Sequence, residues 1–456
     1  MLKVIRMNMG IACVALLLVG CVLPLNNDPF SITNQQASQP SDSASDPVSN
    51  RCSPMPMASD NVVHVSPSQS AQLSDLVSQA ESGTTLSLAD GEYNLAGDML
   101  WFAKPGITLR SASGHPESVI LNGGYATTEV VTVAASDVTI AEITIKQAYT
   151  HGIHVISSSL GSTLNTQIYR VHILDSREQA IKINPHNASG VYADQGSVAC
   201  SILKLTDSGR PFVNPTSGGC YTGGIDAHQA KDWTVRDNHF EGFWCPSGLS
   251  EHAVHFWRGG ANTIIERNTF ENNARAIGFG LANSGSARTY NDLQCTSVPA
   301  TTYVDHYAGI IRNNLINNTD PSLYGSSSGV DCSICLWSAC DAKVVHNTQY
   351  GGQAGFSGIE WRFAGSQSSL IANNLVSDPI RQREEASANE QSNRMLTDTG
   401  VFVDASGGDF HLQSNATSLI DQGTPLEAGL STQDFDQSPR DALPDIGAFE
   451  YSPSFQ

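Results

Sequence analysis

The chain has 456 residues and a formal net charge of −20, with 44 acidic residues against 24 Lys and Arg. This acidic balance excludes nucleic acid as the expected partner, because phosphate recognition needs a basic face. It also disfavours an anionic polysaccharide, unless a cation or a local basic patch mediates the contact. A single globular core rarely reaches this length, whereas a stack of repeats grows without that limit.

Residues 1–20 are predicted to be an export signal. They begin with the basic residues Lys3 and Arg6, continue with a short apolar run and lead into a Leu-Val-Gly-Cys sequence that ends at Cys21. The apolar run is shorter than the roughly 18 residues of a membrane-spanning helix. The four-residue sequence resembles a bacterial lipobox, which implies cleavage before Cys21, acylation of its thiol and a lipid anchor in the outer membrane. The alternative is an ordinary secretory signal followed by a chance cysteine.

Residues 21–59 are predicted to be a flexible tether, since they are rich in Ser, Pro, Asn and Gln and lack apolar periodicity. The pattern changes in residues 68–81, where Leu73, Leu76 and Val77 recur at helical spacing. We expect this amphipathic helix to cap the open end of a parallel sheet stack, because such an end exposes unpaired strand edges.

Two short strand patterns recur between residues 60 and 451. In the first, a small residue precedes an apolar, a variable and an apolar residue. The small residues of this pattern are Gly152, Ala180, Gly224, Ala253, Ala276, Ser333 and Gly358. In the second pattern an Asn follows a Val or Ile by three positions. These asparagines are Asn238, Asn268, Asn314, Asn347 and Asn374. Each pair of patterns makes about one coil of a solenoid, and stacked coils bury a continuous core.

The stacked asparagines predict a ladder that satisfies backbone groups at a bend of each coil. Together the patterns predict an all-β fold, a single-domain right-handed parallel β-helix over residues 60–451, present as a monomer. The closing sequence from Pro444 to Glu450 resembles the C-terminal motif of bacterial secreted β-helix proteins in the pectate-lyase-like superfamily. That resemblance implies the same fold for nearly all of residues 60–451.

Outside the signal and the lipidation position the chain has eight cysteines. An even number in an exported chain predicts disulfides that pin inserted loops. Cys200 and Cys220 bracket an insertion near 188–222 and are the expected pair. A zinc site on Cys332 and Cys335 is the less favoured alternative, because no second matching Cys pair accompanies it.

Strand alternation turns every second side chain outward, and one pair of outward columns is unusually polar. The first column consists of Thr132, His154, Lys182, Asp226, His255, Gly278, Cys335 and Glu360. The second consists of Ile156, Asn184, His228, Trp257, Gly280, Trp337 and Arg362. Coils stack about 4.8 Å apart, so neighbours in a column can touch. Aromatic rings beside hydrogen-bonding groups suit sugar stacking, and the bare Gly278 rung offers a floor for a substrate ring.

These columns predict a polysaccharide site, which insertions near 188–222 and 281–308 would wall. The expected catalytic residues are Lys182, Asp226, His228, His255 and Arg258. Lys182 or His255 is expected to remove a proton next to a uronate carboxylate, and Arg258 or Arg362 to bind that carboxylate. The expected substrate-binding residues are His154, Asn184, His186, Trp257, Trp337, Glu360 and Arg362. The alternative is a polar face in which these side chains have only a structural role.

Two local resemblances point to uronate chemistry. The segment from Glu251 to Phe270 resembles the catalytic coils of chondroitinase B and related alginate lyases, which use calcium, and Arg258 falls where their Lys base lies. The sequence Asn-Pro-His-Asn from Asn184, which includes His186, is similar to the Asp-Pro-His-Asp strand end of alginate C5-epimerases. The resemblances imply a polysaccharide lyase, with an epimerase as an alternative. They leave calcium as the candidate cofactor, and no residue is assigned as a metal ligand.

Two other functions are weighed against a lyase. An inverting glycosidase needs two carboxylates with room for a water molecule between them. Asp226 and Glu360 are four coils apart, roughly 19 Å at this spacing, so hydrolysis is disfavoured unless Glu251 or Asp305 approaches from a loop. A non-catalytic glycan-binding module or surface adhesin is the main alternative. It would depend on Trp257 and Trp337 and tolerate loss of the charged residues.

Overall fold

The computed structural model describes five segments of the chain, which are residues 51–58, 60–159, 161–186, 190–215 and 219–455. The predicted export signal, the predicted lipidation position Cys21 and most of the predicted tether lie outside these segments. Within them, no helix is long and apolar enough to cross a membrane.

Three long parallel sheets, here called sheets 1, 2 and 3, contain most of the strands in the described residues. Sheet 1 contains Val62–Val65, Thr85–Leu88, Thr108–Ser111, Thr139–Ala141, Gln167–Tyr169, Ser197–Ala199, Thr234–Arg236, Ile264–Glu266, Ile310–Arg312, Lys343–Val345, Ser369–Ala372 and Ala388–Gln391. Sheet 2 contains Gly91–Asn94, Val119–Asn122, Thr144–Lys146, His172–Leu174, Ile202–Lys204, His239–Glu241, Thr269–Glu271, Leu315–Asn318, Thr348–Gly351, Leu375–Val376 and Arg394–Met395. Sheet 3 contains Leu100–Phe102, Glu129–Val133, His151–Ile156, Gln179–Asn184, Gly223–His228, Val254–Trp257, Arg275–Phe279, Cys332–Trp337, Ser357–Arg362 and Ile380–Gln382.

Each coil passes through sheets 1, 2 and 3 in turn, and each strand pairs in parallel with its counterparts in the coils before and after it. Strand alternation explains the core, because every second side chain points into the helix and is apolar. The residues predicted to point inward on sheet 3 are all buried, namely Ile181, Ile183, Ile225, Ala227, Val254, Phe256, Ile277, Phe279, Ile334, Leu336, Ile359 and Trp361. The predicted parallel β-helix is therefore confirmed.

The predicted asparagine ladder is also confirmed. The Nδ2 of Asn238, Asn268, Asn314 and Asn347 each donates to the Oδ1 of the next asparagine at 2.9–3.0 Å. Each Nδ2 also donates to a backbone carbonyl, as Asn268 does to Val235 at 2.9 Å. The ladder thus pairs buried polar backbone groups at the turn between sheets 1 and 2.

Both ends of the stack are covered. At the start, a 3₁₀ turn over Pro67–Gln72 leads into the α-helix Leu73–Gln79, which buries Leu73 and Val77 as predicted. At the far end the antiparallel strands Phe402–Asp404 and Asp409–Leu412 follow the last coil. The C-terminal segment packs against two outward leucines of sheet 2 to form a second apolar cluster. This cluster includes Phe402, Phe410, Phe435, Phe449, Leu315 and Leu375. A second, short α-helix consists of Pro321–Tyr324.

The predicted tether reaches residue 59, but residues 51–58 lie against the β-helix. Cys52 forms a disulfide with Cys200, which follows a strand of sheet 1. The backbone N–H of Met55 donates to Glu142 at 2.7 Å, and Arg110 donates to the Met55 carbonyl at 3.1 Å. This correction has a physical reason: a covalent bond and buried ionic side chains hold a segment whose composition alone favours disorder.

The eight predicted disulfide cysteines all pair. The bonds are Cys52–Cys200, Cys220–Cys245, Cys295–Cys340 and Cys332–Cys335. The expected Cys200–Cys220 bond is wrong, because Cys200 follows a strand of sheet 1 while Cys220 precedes a strand of sheet 3. The zinc alternative also fails, since Cys332 and Cys335 are bonded to each other.

Candidate functional site

Strand pairing in sheet 3 brings the predicted polar column together. Lys182 pairs with His154 on one side and Asp226 on the other, and Asp226 pairs with His255. The column continues through Gly278, Cys335 and Glu360 in the predicted order. In the second column His228 pairs with Trp257, and Trp337 pairs with Arg362. The predicted register therefore holds over the whole face.

Lys182, Asp226 and His228 form a hydrogen-bonded group, called here the ion cluster. The ammonium of Lys182 forms a close ion pair with Asp226 Oδ2 and lies 3.1 Å from His228 Nε2. His228 Nε2 lies 3.3 Å from the same Asp226 oxygen. Burial alone would raise the pKa of Asp226, but Lys182 and His228 hold that pKa well below its usual value. Burial lowers the pKa of His228 from its ordinary 6.5, so the imidazole is neutral at neutral pH.

Trp257 and Arg258 form the rim beside the ion cluster. Trp257 Nε1 donates to Asp226 Oδ1 at 2.7 Å, and its ring meets the His228 ring edge-on at 4.7 Å. The guanidinium of exposed Arg258 lies 4.6 Å from the centre of the Trp257 ring. The backbone N–H of Arg258 donates to buried Asp305 at 2.6 Å, which anchors the residue at a left-handed turn with φ 58°.

The upstream part of the face contains His154 and Asn184. His154 Nδ1 lies 2.7 Å from Glu129 Oε1, and its Nε2 lies 2.6 Å from Asn184 Oδ1. His186 is exposed beyond the strand end, and its backbone N–H donates to Ser157 at 2.7 Å. His154 and Asn184 therefore extend the polar face by one coil before the ion cluster.

His255 is part of the column but is closed to a substrate. Its exposed fraction is 0%, and its Nε2 donates to the Gly280 carbonyl at 3.2 Å. The Trp257 ring stacks parallel to the imidazole at 5.3 Å between ring centres. The structure thus opposes the predicted role of His255 as a base that removes a substrate proton.

The predicted glycine floor is filled. His252, which precedes the strand of His255, lies over Gly278, where an added Cβ would be 2.7 Å from His252 Nε2. Gly280 has φ 73°, and a Cβ there would meet the Trp337 carbonyl at 1.9 Å. Both glycines serve close packing within the protein, and neither leaves a surface for a sugar ring.

Trp337 and Glu360 lie downstream in the same columns, where the structure buries them. Trp337 is only 5% exposed, and its Nε1 donates to Glu360 Oε1 at 2.6 Å. Glu360 also accepts from Arg383 at 3.0 Å and from Ser357 at 2.9 Å. Glu360 and these three partners are called here the downstream cluster. A buried ring and a carboxylate with three partners do not fit the predicted substrate-binding roles.

Arg362 is the third downstream residue, and it is bound by an acid. Its Nε and Nη2 both donate to Glu384 Oε1, at 2.9 and 2.6 Å. It lies four coils beyond His228 in the second column, roughly 19 Å away. Arg258 is therefore the better placed of the two predicted partners for a substrate carboxylate.

The sequence reasoning missed Tyr221, a partly buried residue beside the ion cluster. Burial raises the pKa of Tyr221, and Lys182 and Asp226 lie close enough to act on that pKa in opposite directions. The phenol is therefore protonated at neutral pH. Its signal in the sequence is its place directly after Cys220, whose disulfide to Cys245 fixes the loop at the strand start.

Calcium, the candidate cofactor from the local resemblance to alginate lyases, does not match the donors of this face. Calcium takes six to eight oxygen ligands. Asp226 is already bonded by Lys182 and Trp257, and Asp305 accepts from backbone N–H groups of Arg258, Leu281 and Ala282. Glu251 is a further nearby carboxylate, and its neighbours are imidazoles. No step of the chemistry below uses calcium.

A concave pocket of about 440 Å³ lies elsewhere, between the outer face of sheet 1 and residues 427–430. Its charged lining residues are Asp341, Lys343 and Glu427. It contains none of the clustered histidines of sheet 3. The ion cluster is the stronger candidate, since long polysaccharides can bind along an open face and perturbed titratable groups mark functional sites.

Comparison with known proteins supports the architecture. Neither a comparison with protein-family models nor a search of curated protein sequences finds a match. Among solved structures, pectate lyase Pel9A superposes with a TM-score of 0.55 at 14% identity, over 90% of this chain and all of that chain. The chain has the pectate-lyase-like β-helix fold.

Two other solved structures match with lower TM-scores. The PL6 family alginate lyase AlyGC gives a TM-score of 0.41 at 12% identity, over 87% of this chain and 59% of that chain. The Streptococcus pneumoniae surface adhesin PfbA gives a TM-score of 0.33 at 12% identity, over 73% of this chain. Because one fold hosts many activities, the β-helix itself does not decide between catalysis and adhesion.

Proposed function

We propose that this β-helix is a polysaccharide lyase that cleaves a uronate-containing glycan by β-elimination. The observation that carries the proposal is the ion cluster of Lys182, Asp226 and His228 on the outer face of sheet 3. A buried ion pair is weak evidence for stability, because the desolvation of two charges offsets their attraction. Perturbed titratable groups held together on one face favour a functional site.

His228 is the proposed base. Lys182 donates to Asp226 and, as an ammonium, has no lone pair to accept a proton. His228 is neutral because burial lowers its pKa, and Asp226 lies within reach of its Nε2. When Nε2 donates to Asp226, Nδ1 keeps the lone pair that accepts the C5 proton of the uronate.

The remaining charges of the reaction have partners on the same face. Removal of the C5 proton builds negative charge on the uronate carboxylate, which Arg258 would bind from the rim. The C5 electron pair then forms the C4–C5 double bond as the C4–O4 bond breaks. Protonated Tyr221 would donate its proton to the leaving O4, and Trp257 would support a neighbouring sugar ring.

A lipid anchor at Cys21 and a location in the outer membrane are proposed with this function. Their support is the lipobox-like sequence before Cys21 and the Ser- and Pro-rich segment after it. Such an anchor would hold the β-helix near a membrane while its polar face meets a polymer. Radiolabelled palmitate incorporation that is lost in Cys21→Ala would support the anchor, and equal labelling of both chains would oppose it.

The proposed reaction is tested by NMR of alginate, pectate and chondroitin after incubation with the full chain. β-Elimination creates an unsaturated uronate at the new non-reducing end. C5 epimerisation, which shares the proton-removal step, instead changes the uronate configuration without shortening the chain. Retention of a polymer on the immobilised chain without either change would identify a binding module and contradict the lyase proposal.

A further inference from the structure

Glu251, His252 and His255 bring three metal-ligating side chains together at the start of the strand Val254–Trp257. One ligand atom from each lies within 4.8 Å of the other two. His255 Nδ1 and Glu251 Oε2 are 3.5 Å apart. That separation is close to the spacing of two ligands around one ion, since metal–nitrogen and metal–oxygen bonds are about 2.0–2.2 Å long.

The ligand atoms of this group are buried and lack hydrogen-bond partners. Neither ring nitrogen of His252 has a partner, and neither does His255 Nδ1 or Glu251 Oε2. The exposed fractions of His252 and His255 are 0%. Buried polar atoms are nearly always paired, and each unpaired one costs about 1–3 kcal/mol. Because one ligand atom of each residue lies within 4.8 Å of the other two, the unpaired atoms indicate a missing common partner.

Buried His346, by contrast, has both ring nitrogens paired within the protein. His346 Nδ1 lies 3.1 Å from the Asp445 carbonyl, and its Nε2 lies 2.9 Å from Asn373 Nδ2. A second group of possible ligands, His239, Glu241 and Glu271, has a cation already, because Lys204 binds Glu241 at 2.8 Å. The group at Glu251 is therefore distinct among the described residues.

The surrounding residues hold the imidazoles in ligand geometry. His255 Nε2 donates to the Gly280 carbonyl, so its Nδ1 carries the lone pair that faces Glu251. A metal-binding histidine usually donates its other N–H in this way, to a carbonyl or carboxylate. The His252 ring fits against Gly278, where any side chain would collide with it.

We propose that Glu251, His252 and His255 bind one divalent transition-metal ion of the Zn²⁺ class. Two imidazoles and one carboxylate suit zinc and its neighbours, whereas calcium requires oxygen ligands. Three protein ligands leave a coordination position open for water or another oxygen. The proposal does not depend on the lyase function, since it concerns a separate set of residues beside the ion cluster.

The test is metal binding by the full chain after treatment with EDTA. Zn²⁺ is titrated calorimetrically, Co²⁺ is followed by its visible absorption, and Ca²⁺ serves as the comparison ion. We expect one Zn²⁺ per chain, loss of binding in His252→Ala, and weakening by at least about tenfold in Glu251→Gln. Binding should be unchanged in the matched control His239→Gln, which alters the second group of ligands.

Two measurements keep the outcome decisive. Near-ultraviolet circular dichroism in EDTA reports whether each variant is folded. If His252→Ala is not folded, Glu251→Gln provides the test, because it preserves the size of the side chain. The proposal is overturned if the wild-type chain binds no Zn²⁺ stoichiometrically, or if Glu251→Gln binds as tightly as the wild type. Loss of binding in His239→Gln alone would place the ion in the other group and would equally overturn it.

Discussion

The ion cluster and the downstream cluster occupy the same outward columns of sheet 3 but differ in how neighbouring side chains cover their charged groups. In the ion cluster, Lys182 and Asp226 are paired beneath His228 and the partly exposed Trp257. In the downstream cluster, Trp337 and Arg383 cover Glu360 and satisfy it. An outward strand position therefore does not make a site by itself. The packing of neighbouring coils decides which polar groups can reach a substrate.

Removing the cation from the ion cluster should have the largest effect on stability. Lys182→Met leaves the Asp226 carboxylate buried without its ion partner, and we expect a loss of about 3–5 kcal/mol in the free energy of unfolding. Denaturant unfolding measures this change. The double variant Lys182→Met/Asp226→Leu removes both charges and should recover most of the loss. Equal instability of the single and double variants would contradict the ion-pair explanation.

The matched change in the downstream cluster should be smaller and confined to stability. Glu360→Gln keeps the side-chain size but weakens the bonds from Arg383 and Trp337, at an expected cost of about 1–3 kcal/mol. Chemical denaturation measures the loss, and turnover of any polymer that the wild type cleaves should be unchanged. A large fall in turnover with intact folding would show that the downstream cluster contacts substrate.

The pH dependence of cleavage should report His228. Because burial lowers its pKa below 6.5, the base stays unprotonated at and somewhat below that pH. We expect kcat/KM to be constant through neutral pH and to fall about tenfold per pH unit only below 6.5, as the base becomes protonated. Rates measured in a constant-ionic-strength buffer series give the profile. An acidic limb that begins above 6.5 would exclude His228 as the base.

Arg258 should affect binding more than folding. Its side chain is exposed on the rim, so Arg258→Ala should change the free energy of unfolding by no more than about 0.5 kcal/mol. Loss of a carboxylate partner should raise KM for a uronate polymer about tenfold. Steady-state kinetics test this, with Arg362→Ala as the control because Glu384 binds that arginine. The same increase in both variants would contradict the distinction between them.

The sequence predicted the fold well because its two strand patterns recur in many successive coils. Alternation is local, so the inward side of Ile181 or Phe256 and the order of the polar columns follow from spacing alone. The asparagine ladder was predictable for the same reason. The disulfide of Cys52 was not, because it joins residues that are 148 positions apart through the coiling of the chain.

The candidate site was predicted only in part. The patterns located Lys182, Asp226 and His228 on one face, and the structure adds how they bond to one another. They could not show that His252 fills the space over Gly278, or that Trp337 turns its N–H to Glu360. Those contacts depend on loop positions and side-chain packing between coils, which strand spacing does not encode. Tyr221 and His252 were missed as site residues for the same reason.

The most direct test of the account compares His228→Gln with Glu360→Gln on a uronate polymer that the wild-type chain depolymerises. The initial rate is read from the ultraviolet absorbance of the unsaturated product, after both variants are shown to be folded. The account predicts that kcat falls roughly 100- to 10,000-fold in His228→Gln and is unchanged in Glu360→Gln. Wild-type turnover in His228→Gln, or an equal loss in both variants, would contradict it.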